Sequence, residues 1–174
     1  IVVFWITGIT ASGKTFLGKE LLKSLKKHGF KSAIHLDGDE LRKRSDWVSG
    51  HTLEARYKVL HSLVNLILEE KEFHDIIIVS TVSHVRDMRI YARKKIESFH
   101  EIYLDCPLSI CESRDYKHIY SRMRVKSGSN AIFPGLTEQY QKSDNPELIL
   151  KTGSETFRRS SDKLIEYALK AIKI

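Results

Sequence analysis

The sequence has 174 residues, of which 41% are hydrophobic and 29% charged, and its formal net charge is +7. This length and balance are typical of one globular domain with its own core, and they exclude a disordered or fibrous chain. No apolar run approaches the roughly 20 residues of a membrane-spanning helix, so we expect no membrane association. The two cysteines, Cys106 and Cys111, are too few for a disulfide framework and predict a cytoplasmic protein with reduced thiols.

The positive charge has two interpretations, nucleic-acid binding and a pocket that holds several phosphates. The lysines and arginines are spread over the chain without a basic tail. We therefore expect a small phosphorylated partner and no nucleic acid. The sequence opens on Ile1 without an initiator Met or a recognisable secretory signal, so further residues are expected before Ile1 and secretion is not expected.

Strand-like and helix-like segments alternate along the chain. Strands are predicted at residues 1–7, 32–36, 75–80, 101–105 and 148–150. Helices are predicted at residues 14–28, 52–72 and 87–97, after Pro107, and from a capping Ser154 to about residue 172, with an irregular polar segment at 114–145. This order predicts an α/β fold in one domain of residues 1–174, a parallel sheet with helices on both faces in three layers. Because ligands bind at the carboxyl ends of such strands, residues 8–15, 37–42, 80–86 and 105–115 should share one rim.

The segment after the first strand satisfies the phosphate-binding pattern GxxxxGK[ST] in full. Its residues are Gly8, Ile9, Thr10, Ala11, Ser12, Gly13, Lys14 and Thr15. Backbone N–H groups and a helix N-terminus at such a loop bind phosphate oxygens. Lys14 is expected to reach the β- and γ-phosphates and Thr15 to bind Mg²⁺. With no guanine-binding NKxD motif, the loop predicts a small ATP-dependent kinase of the P-loop NTPase fold.

Two carboxylates, Asp37 and Asp39, follow the second strand as LDGD. One carboxylate at this position can hold Mg²⁺ while the other accepts a proton from an attacking hydroxyl. We assign Asp37 to the metal and Asp39 to the acceptor. The competing interpretation is an Asp-Gly turn that caps a helix.

Several segments, in collinear order over nearly the whole chain, resemble the adenylyl-sulfate kinases, which phosphorylate the 3′-hydroxyl of adenosine 5′-phosphosulfate. Besides the phosphate-binding loop they are LDGDELR at 36–42, VSHVRDMR at 82–89, IYLDCPL at 102–108, CESRD at 111–115, FPGL at 133–136 and NPEL at 145–148. The resemblance implies ATP and Mg²⁺ as cofactors, a nucleotide acceptor and a homodimer.

The resemblance also implies roles for further residues. Ser83 matches a serine recorded as a phosphoserine position, although a backbone wall formed with Val82 is the role we favour. Arg42, Arg86 and Arg89 match basic positions near the substrate, with a solvated surface arginine as the alternative for each. Trp47 and Phe133 match the two rings that clamp the acceptor adenine, with simple core packing as the alternative for each. The lid, at about residues 114–145, contributes Arg114 to the ATP adenine and Lys117, Arg122 and Arg124 to the phosphates.

The chain departs from the family mainly on the acceptor side. Thr52 and Ala55 stand where the family carries an Arg and an Asn that contact the substrate, and His84 replaces a Pro. Tyr116 and His118 replace Pro and Gly in the lid. Three functions therefore remain open. They are adenylyl-sulfate kinase, a paralogue that acts on another nucleotide such as cytidine diphosphoramidate, and a P-loop protein that binds nucleotide or RNA without catalysis. The carboxylates Asp37 and Asp39 argue against the third function.

Overall fold

A five-stranded parallel sheet forms the centre of the protein. The structure is a computed structural model, and it describes residues 1–44, 46–47, 50–115, 117–125 and 131–173. The strands are β1 (Val2–Thr7), β2 (Ala33–Asp37), β3 (Ile76–Thr81), β4 (Phe99–Leu104) and β5 (Leu148–Leu150). They lie in the order β2-β3-β1-β4-β5 and all neighbours pair in parallel. The chain thus moves from β1 to one side of the sheet and later to the other, which makes the end of β1 the switch point where ligands bind.

Seven helices accompany the sheet in the described part of the chain. They are α1 (Lys14–Lys27), α2 (Gly38–Leu41), α3 (Leu53–Glu70), α4 (Arg86–Lys95), α5 (Leu108–Ser113), α6 (Ile119–Val125) and α7 (Phe157–Ile172). None of these helices has the length and apolar character needed to cross a membrane.

Alternating side chains of the buried strands produce two cores, one on each face of the sheet. Phe4 and Ile6 of β1 pack with apolar residues of α1 and α7. Val3 and Trp5, which point the other way, pack with apolar residues of α3 and α4. A strand that is apolar on both faces must be covered on both, which confirms the predicted three-layer α/β fold.

The predicted strands and long helices are confirmed, with ends that shift by one or two residues. Three details differ from the prediction. The last helix is capped by Thr156, whose side chain accepts a hydrogen bond from the backbone N–H of Arg159 (3.2 Å), while Ser154 lies in the preceding turn. The short α2 was not predicted, and α6 forms within the segment expected to be irregular. The four predicted ligand segments follow β1, β2, β3 and β4 and so share one rim of the sheet.

Candidate functional site

The phosphate-binding loop joins β1 to α1 and places its lysine inside the protein. The Lys14 side chain is buried, and its Nζ donates a hydrogen bond to the Ile9 carbonyl (2.9 Å). Burial lowers the pKa of Lys14, while the nearby charges of Asp39 and Asp37 oppose that shift. Gly13, at the start of α1, has a φ of 106°, and a Cβ there would lie 2.6 Å from Cε1 of Phe157. The loop therefore requires glycine at this position both for its backbone conformation and for space.

The Asp37 carboxylate contacts both α2 and the phosphate-binding loop. Its Oδ1 accepts hydrogen bonds from the backbone N–H groups of Asp39 (2.9 Å) and Glu40 (3.3 Å), which caps α2. Its Oδ2 accepts one from the Thr15 hydroxyl at 2.5 Å. Thr15 and Asp37 thus bring two oxygen ligands together at the start of α1, and hard oxygen ligands of this kind suit Mg²⁺.

A cavity of about 190 Å³ opens beside this pair, and we call it the Asp39 cavity. It lies between α2, α3 and the ends of β1 and β3. Its walls are Thr10, Gly38, Asp39, Arg42, His51, Arg56, Val59, Leu60, Thr81, Val82, Ser83, His84, Met88, Lys117, Ile119 and Phe133. One carboxylate, several cations and one aromatic ring thus converge next to the phosphate-binding loop.

The residues around α6 connect the predicted lid to the phosphate-binding loop. The Tyr120 hydroxyl donates to the Thr10 carbonyl (2.7 Å), and its ring packs edge-on against Phe133 with centroids 4.9 Å apart. The Tyr120 backbone N–H donates to Asp115 Oδ2 (2.7 Å). His118, at the position where the resemblance gives a glycine, has a φ of 53°. The segment predicted as a lid therefore contacts two walls of the Asp39 cavity, Thr10 and Phe133, through Tyr120.

The predicted lid cations occupy different positions. Lys117 lines the Asp39 cavity, whereas Arg124 forms an ion pair with Glu112 and Arg122 lies on the exposed side of α6. The Arg114 guanidinium lies 4.8 Å from the ring centroid of Phe157. Tyr116 and residues 126–130 of the predicted lid lie outside the described residues. Of this group, Lys117 and Arg114 are thus placed where a bound nucleotide could contact them.

Ser83 contributes to the Asp39 cavity, but its hydroxyl is engaged elsewhere. Ser83 Oγ accepts a hydrogen bond from Trp5 Nε1 (3.0 Å) and lies 3.0 Å from the Thr7 hydroxyl. The residue is buried and has a φ of 35°, a conformation that non-glycine residues rarely adopt. This geometry favours Ser83 and Val82 as a wall and gives no support to Ser83 as a reacting group.

Arg89 is neither the substrate contact nor the solvated arginine that the sequence suggested. It is 1% exposed, its Nε donates to Glu101 Oε1 (2.9 Å), and its Nη1 donates to the Ser83 carbonyl (2.5 Å). Its Nη2 contacts the Gln141 carbonyl. Arg89 thus fixes the Ser83 wall from behind.

Two other predicted substrate residues lie away from the Asp39 cavity. Arg86 begins α4, and its Nε donates to the Lys142 carbonyl (2.9 Å) instead. Trp47 is half-buried and packs against the apolar cluster beneath α3, because its ring finds apolar surface there despite polar neighbours in sequence. Of the two aromatic rings expected to clamp the acceptor base, only Phe133 is among the described residues that line the cavity. Arg42, a third predicted substrate residue, also lines it.

His84 and Arg56 line the Asp39 cavity without having been predicted as site residues. His84 is fully buried, its Nε2 lies 2.7 Å from Glu138 Oε2, and burial lowers its pKa. Arg56 donates from Nε (3.2 Å) and Nη2 (2.6 Å) to the Ile132 carbonyl. The position of Arg56, one helical turn after Thr52, was the available signal, because residues four apart share a helix face.

Comparison with known proteins identifies relatives over nearly the whole chain. The family model for adenylylsulphate kinase matches residues 1–151. The chain is 35% identical over 168 residues to an adenylyl-sulfate kinase of Halothermothrix orenii, covering 95% of this chain and 88% of that protein. It is 37% identical over 150 residues to a probable adenylyl-sulfate kinase of Archaeoglobus fulgidus, covering 86% and 95% respectively. The Mycobacterium tuberculosis APS kinase CysC, solved in complex with AMPPNP and APS, superimposes with a TM-score of 0.85 at 27% identity, covering 97% of each chain.

Proposed function

The chain belongs to the adenylylsulphate kinase family, and we propose that it transfers the γ-phosphate of ATP to the 3′-hydroxyl of adenosine 5′-phosphosulfate. The observation that carries this proposal is that Asp39 lines one cavity with Thr10 of the phosphate-binding loop, next to the Thr15–Asp37 pair. A carboxylate at that point lies between the donor loop and any nucleotide bound in the cavity.

The donor half of the reaction falls to residues 8–15. Their backbone N–H groups would bind the ATP phosphates at the start of α1, where the helix dipole favours an anion. The Lys14 ammonium, which contacts the Ile9 carbonyl in this structure, would exchange that partner for phosphate oxygens. Arg114, lying over the Phe157 ring, would contact the ATP base.

Thr15 and Asp37 fit the requirements of Mg²⁺. The described residues contain no cluster of three or more acidic, His or Cys side chains that could enclose a metal. Mg²⁺ does not need such a cluster, since in phosphotransferases it is held by one or two protein oxygens together with substrate phosphates. When bound, the ion would neutralise charge on the transferring phosphate.

Asp39 would accept the proton of the acceptor hydroxyl. Phe133 would stack on the acceptor base, and Ser83 with Val82 would form the opposite wall. The lid, at about residues 114–145 of this single domain, would limit water around the transferring phosphate through contacts such as Tyr120 with Thr10. Solvent exclusion matters here because water competes with the acceptor hydroxyl for the phosphate.

The comparisons do not favour the cytidine diphosphoramidate alternative, since the relatives described above are adenylyl-sulfate kinases. The non-catalytic alternative requires Asp39 to point away from the cavity, whereas Asp39 lines it. A homodimer and a cytoplasmic location remain proposals. The free, buried Cys106 and Cys111 suit a reducing compartment, and light scattering after size-exclusion chromatography would measure the oligomeric state.

The test is an ADP-release assay with Mg-ATP and four acceptors, namely adenosine 5′-phosphosulfate, cytidine diphosphoramidate, AMP and CDP. We expect turnover with the phosphosulfate. Asp39→Asn should lower kcat by a factor on the order of 10² to 10⁴ while ATP still binds, because general-base catalysis typically contributes that much. Asp46→Asn is the matched control, since Asp46 is exposed and pairs with Arg44. Turnover of the cytidine compound alone would refute the proposed acceptor, and an inert panel would refute the kinase assignment.

A further inference from the structure

One imidazole nitrogen in the wall of the Asp39 cavity is buried without a hydrogen-bond partner. His84 lines the cavity and is fully buried. Its Nε2 lies 2.7 Å from Glu138 Oε2, whereas its Nδ1 is shielded from solvent and makes no hydrogen bond with any of the described residues. Because an unpaired polar atom in the interior is costly, Nδ1 requires a partner that the described side chains do not supply.

Glu138 determines which nitrogen of the His84 ring carries the proton. A carboxylate only accepts hydrogen bonds, so Nε2 is the protonated nitrogen. Burial lowers the pKa of His84, and the charges of Arg56 and Arg89 lower it further, although Glu138 opposes the shift. The ring is therefore neutral at pH 7, and Nδ1 presents a lone pair. The partner that this nitrogen lacks is a hydrogen-bond donor.

His84 is connected to the ring of Phe133 through one tight turn. In that turn the Thr137 N–H donates to the Phe133 carbonyl (2.9 Å) and the Gly135 N–H donates to the Glu138 carbonyl (2.7 Å). His84 contacts the turn through Glu138, and it lines the same cavity as Phe133. A nucleotide base stacked on Phe133 therefore lies in the part of the cavity that His84 helps to form, and the edge of a base carries its hydrogen-bonding groups.

We propose that His84 Nδ1 accepts a hydrogen bond from the exocyclic amine of the acceptor base, and that this contact makes the enzyme prefer amino purines to oxo purines as acceptors. The inference rests on the proposed function in that it takes the Asp39 cavity as the acceptor site. Adenine carries an N–H donor where hypoxanthine carries a carbonyl oxygen, and that oxygen would face the Nδ1 lone pair.

The surroundings of His84 prevent it from adapting to the oxo base. Binding a carbonyl oxygen would require a proton on Nδ1. Moving the proton from Nε2 would turn a lone pair towards the Glu138 carboxylate. Adding a second proton would place a further buried positive charge near Arg56 and Arg89. Both changes are unfavourable, so the acceptor character of Nδ1 is fixed by the protein.

Three substitutions separate the roles of the two ring nitrogens. His84→Gln extends an amide to about the position of Nε2, so it keeps a donor for Glu138 and removes the Nδ1 acceptor. His84→Asn places its amide oxygen near the Nδ1 position, so it keeps the acceptor and loses the contact with Glu138. Glu138→Gln permits either tautomer of His84, because an amide both donates and accepts. His61→Asn is the matched control, since His61 is exposed and its Nδ1 lies 3.0 Å from the Tyr91 hydroxyl.

Titration calorimetry in the presence of ADP measures dissociation constants for adenosine 5′-phosphosulfate, its inosine analogue and its 2′-deoxy analogue. One buried hydrogen bond, lost and replaced by repulsion, corresponds to a factor on the order of 10 to 10², and the wild type and His61→Asn should prefer the adenosine compound by that factor. His84→Gln should lose most of this preference by binding the adenosine compound more weakly. Glu138→Gln should lose it by binding the inosine compound more tightly, a gain that a purely structural role of the pair would not produce. His84→Asn should retain most of the preference.

Equal affinity of the wild-type protein for the adenosine and inosine compounds would overturn the inference, as would a preference that His84→Gln leaves unchanged. If the effect of His84→Gln disappears with the 2′-deoxy analogue, Nδ1 pairs with the ribose hydroxyl and the proposed selection of the base is wrong. Thermal unfolding verifies that each variant is folded, and the preferences of His84→Asn and Glu138→Gln decide the question if His84→Gln unfolds.

These failures are distinct from failure of the proposed function. A wild-type protein that binds the phosphosulfate without phosphorylating it would refute the proposed reaction, while the ratios of the dissociation constants would still decide the role of His84. A protein that phosphorylates the adenosine and inosine compounds equally well would retain the kinase function and refute the role of His84. Binding of none of the three compounds would refute both.

Discussion

Replacing Arg89 with Met removes the guanidinium that fixes the Ser83 wall. The side chain is 1% exposed and its partner Glu101 is 4% exposed, so Arg89→Met leaves a buried carboxylate without its main counter-charge. Removing one partner of a buried ion pair typically costs about 3–5 kcal/mol. Glu101 keeps the Ser143 hydroxyl at 2.7 Å and Arg93 Nη2 at 3.7 Å, which places the expected loss near the lower end, about 3 kcal/mol.

Two further variants test this reasoning. Arg93→Met, one turn along α4, breaks an ion pair with Glu147 whose side chains are 39% and 28% exposed, and it should cost about 1 kcal/mol or less. Glu101→Gln should be destabilising in the wild type, where it weakens the ion pair. In the Arg89→Met background it should be stabilising, because it then removes an uncompensated buried charge.

Urea denaturation followed by tryptophan fluorescence measures these free energies of unfolding. Trp5 is a local probe, because its Nε1 donates to Ser83. The reasoning is refuted if Arg89→Met costs no more than Arg93→Met, or if Glu101→Gln destabilises both backgrounds equally. Either result would mean that the pair contributes only packing.

Two further predictions concern the surroundings of His35 and His84. Gly18→Ala should be destabilising by about 1–2 kcal/mol in urea denaturation, because the new Cβ would lie 2.4 Å from His35 Nε2 and 2.9 Å from Ser80 Oγ. In a His35→Ala background the cost should become smaller, because only the Ser80 contact remains, and an undiminished cost would contradict the steric explanation. Burial lowers the pKa of His84 below its usual 6.5, so the unfolded chain binds a proton that the folded protein does not. Stability should therefore fall as the pH falls through and below about 6.5, and His84→Asn should reduce that slope in pH-dependent thermal unfolding; an unchanged slope would refute the assignment.

Local sequence determined what could be predicted of the fold and of the donor side. The glycines and lysine of residues 8–15 lie in one continuous loop, and Asp37 is the last residue of β2, so pattern and position alone predict a phosphate site at this point of the fold. The strands were predictable because β1 and β3 are apolar on both faces. The Thr156 cap was missed because Ser154 offers the same hydroxyl chemistry two residues earlier, and sequence does not show in which turn the helix begins.

The acceptor side depended on contacts between distant segments, and there the predictions were less complete. Trp47 has polar neighbours in sequence, which suggested a ligand contact, whereas folding supplies it with an apolar cluster. Arg89 was expected near the substrate, or else at the surface, yet Glu101 from β4 pairs with it in the interior. Tyr120 gains its role only because α6 reaches Thr10, a contact across 110 positions. The sequence pattern within a short stretch of residues carries no information about partners that are distant in the chain.

One segment of the acceptor side, residues 131–143, is held in place by three other structural elements. Arg56 of α3 bonds to Ile132, His84 after β3 contacts Glu138, and Arg89 of α4 contacts Gln141. Phe133 lies within this segment, so its position over the Asp39 cavity depends on all three contacts at once. The donor loop adjoins β1 and α1 directly in sequence, and the side chains of Tyr120 and Thr152 donate hydrogen bonds to its carbonyls. A substitution at any one of these three contacts should therefore shift Phe133 and reshape the acceptor side of the cavity.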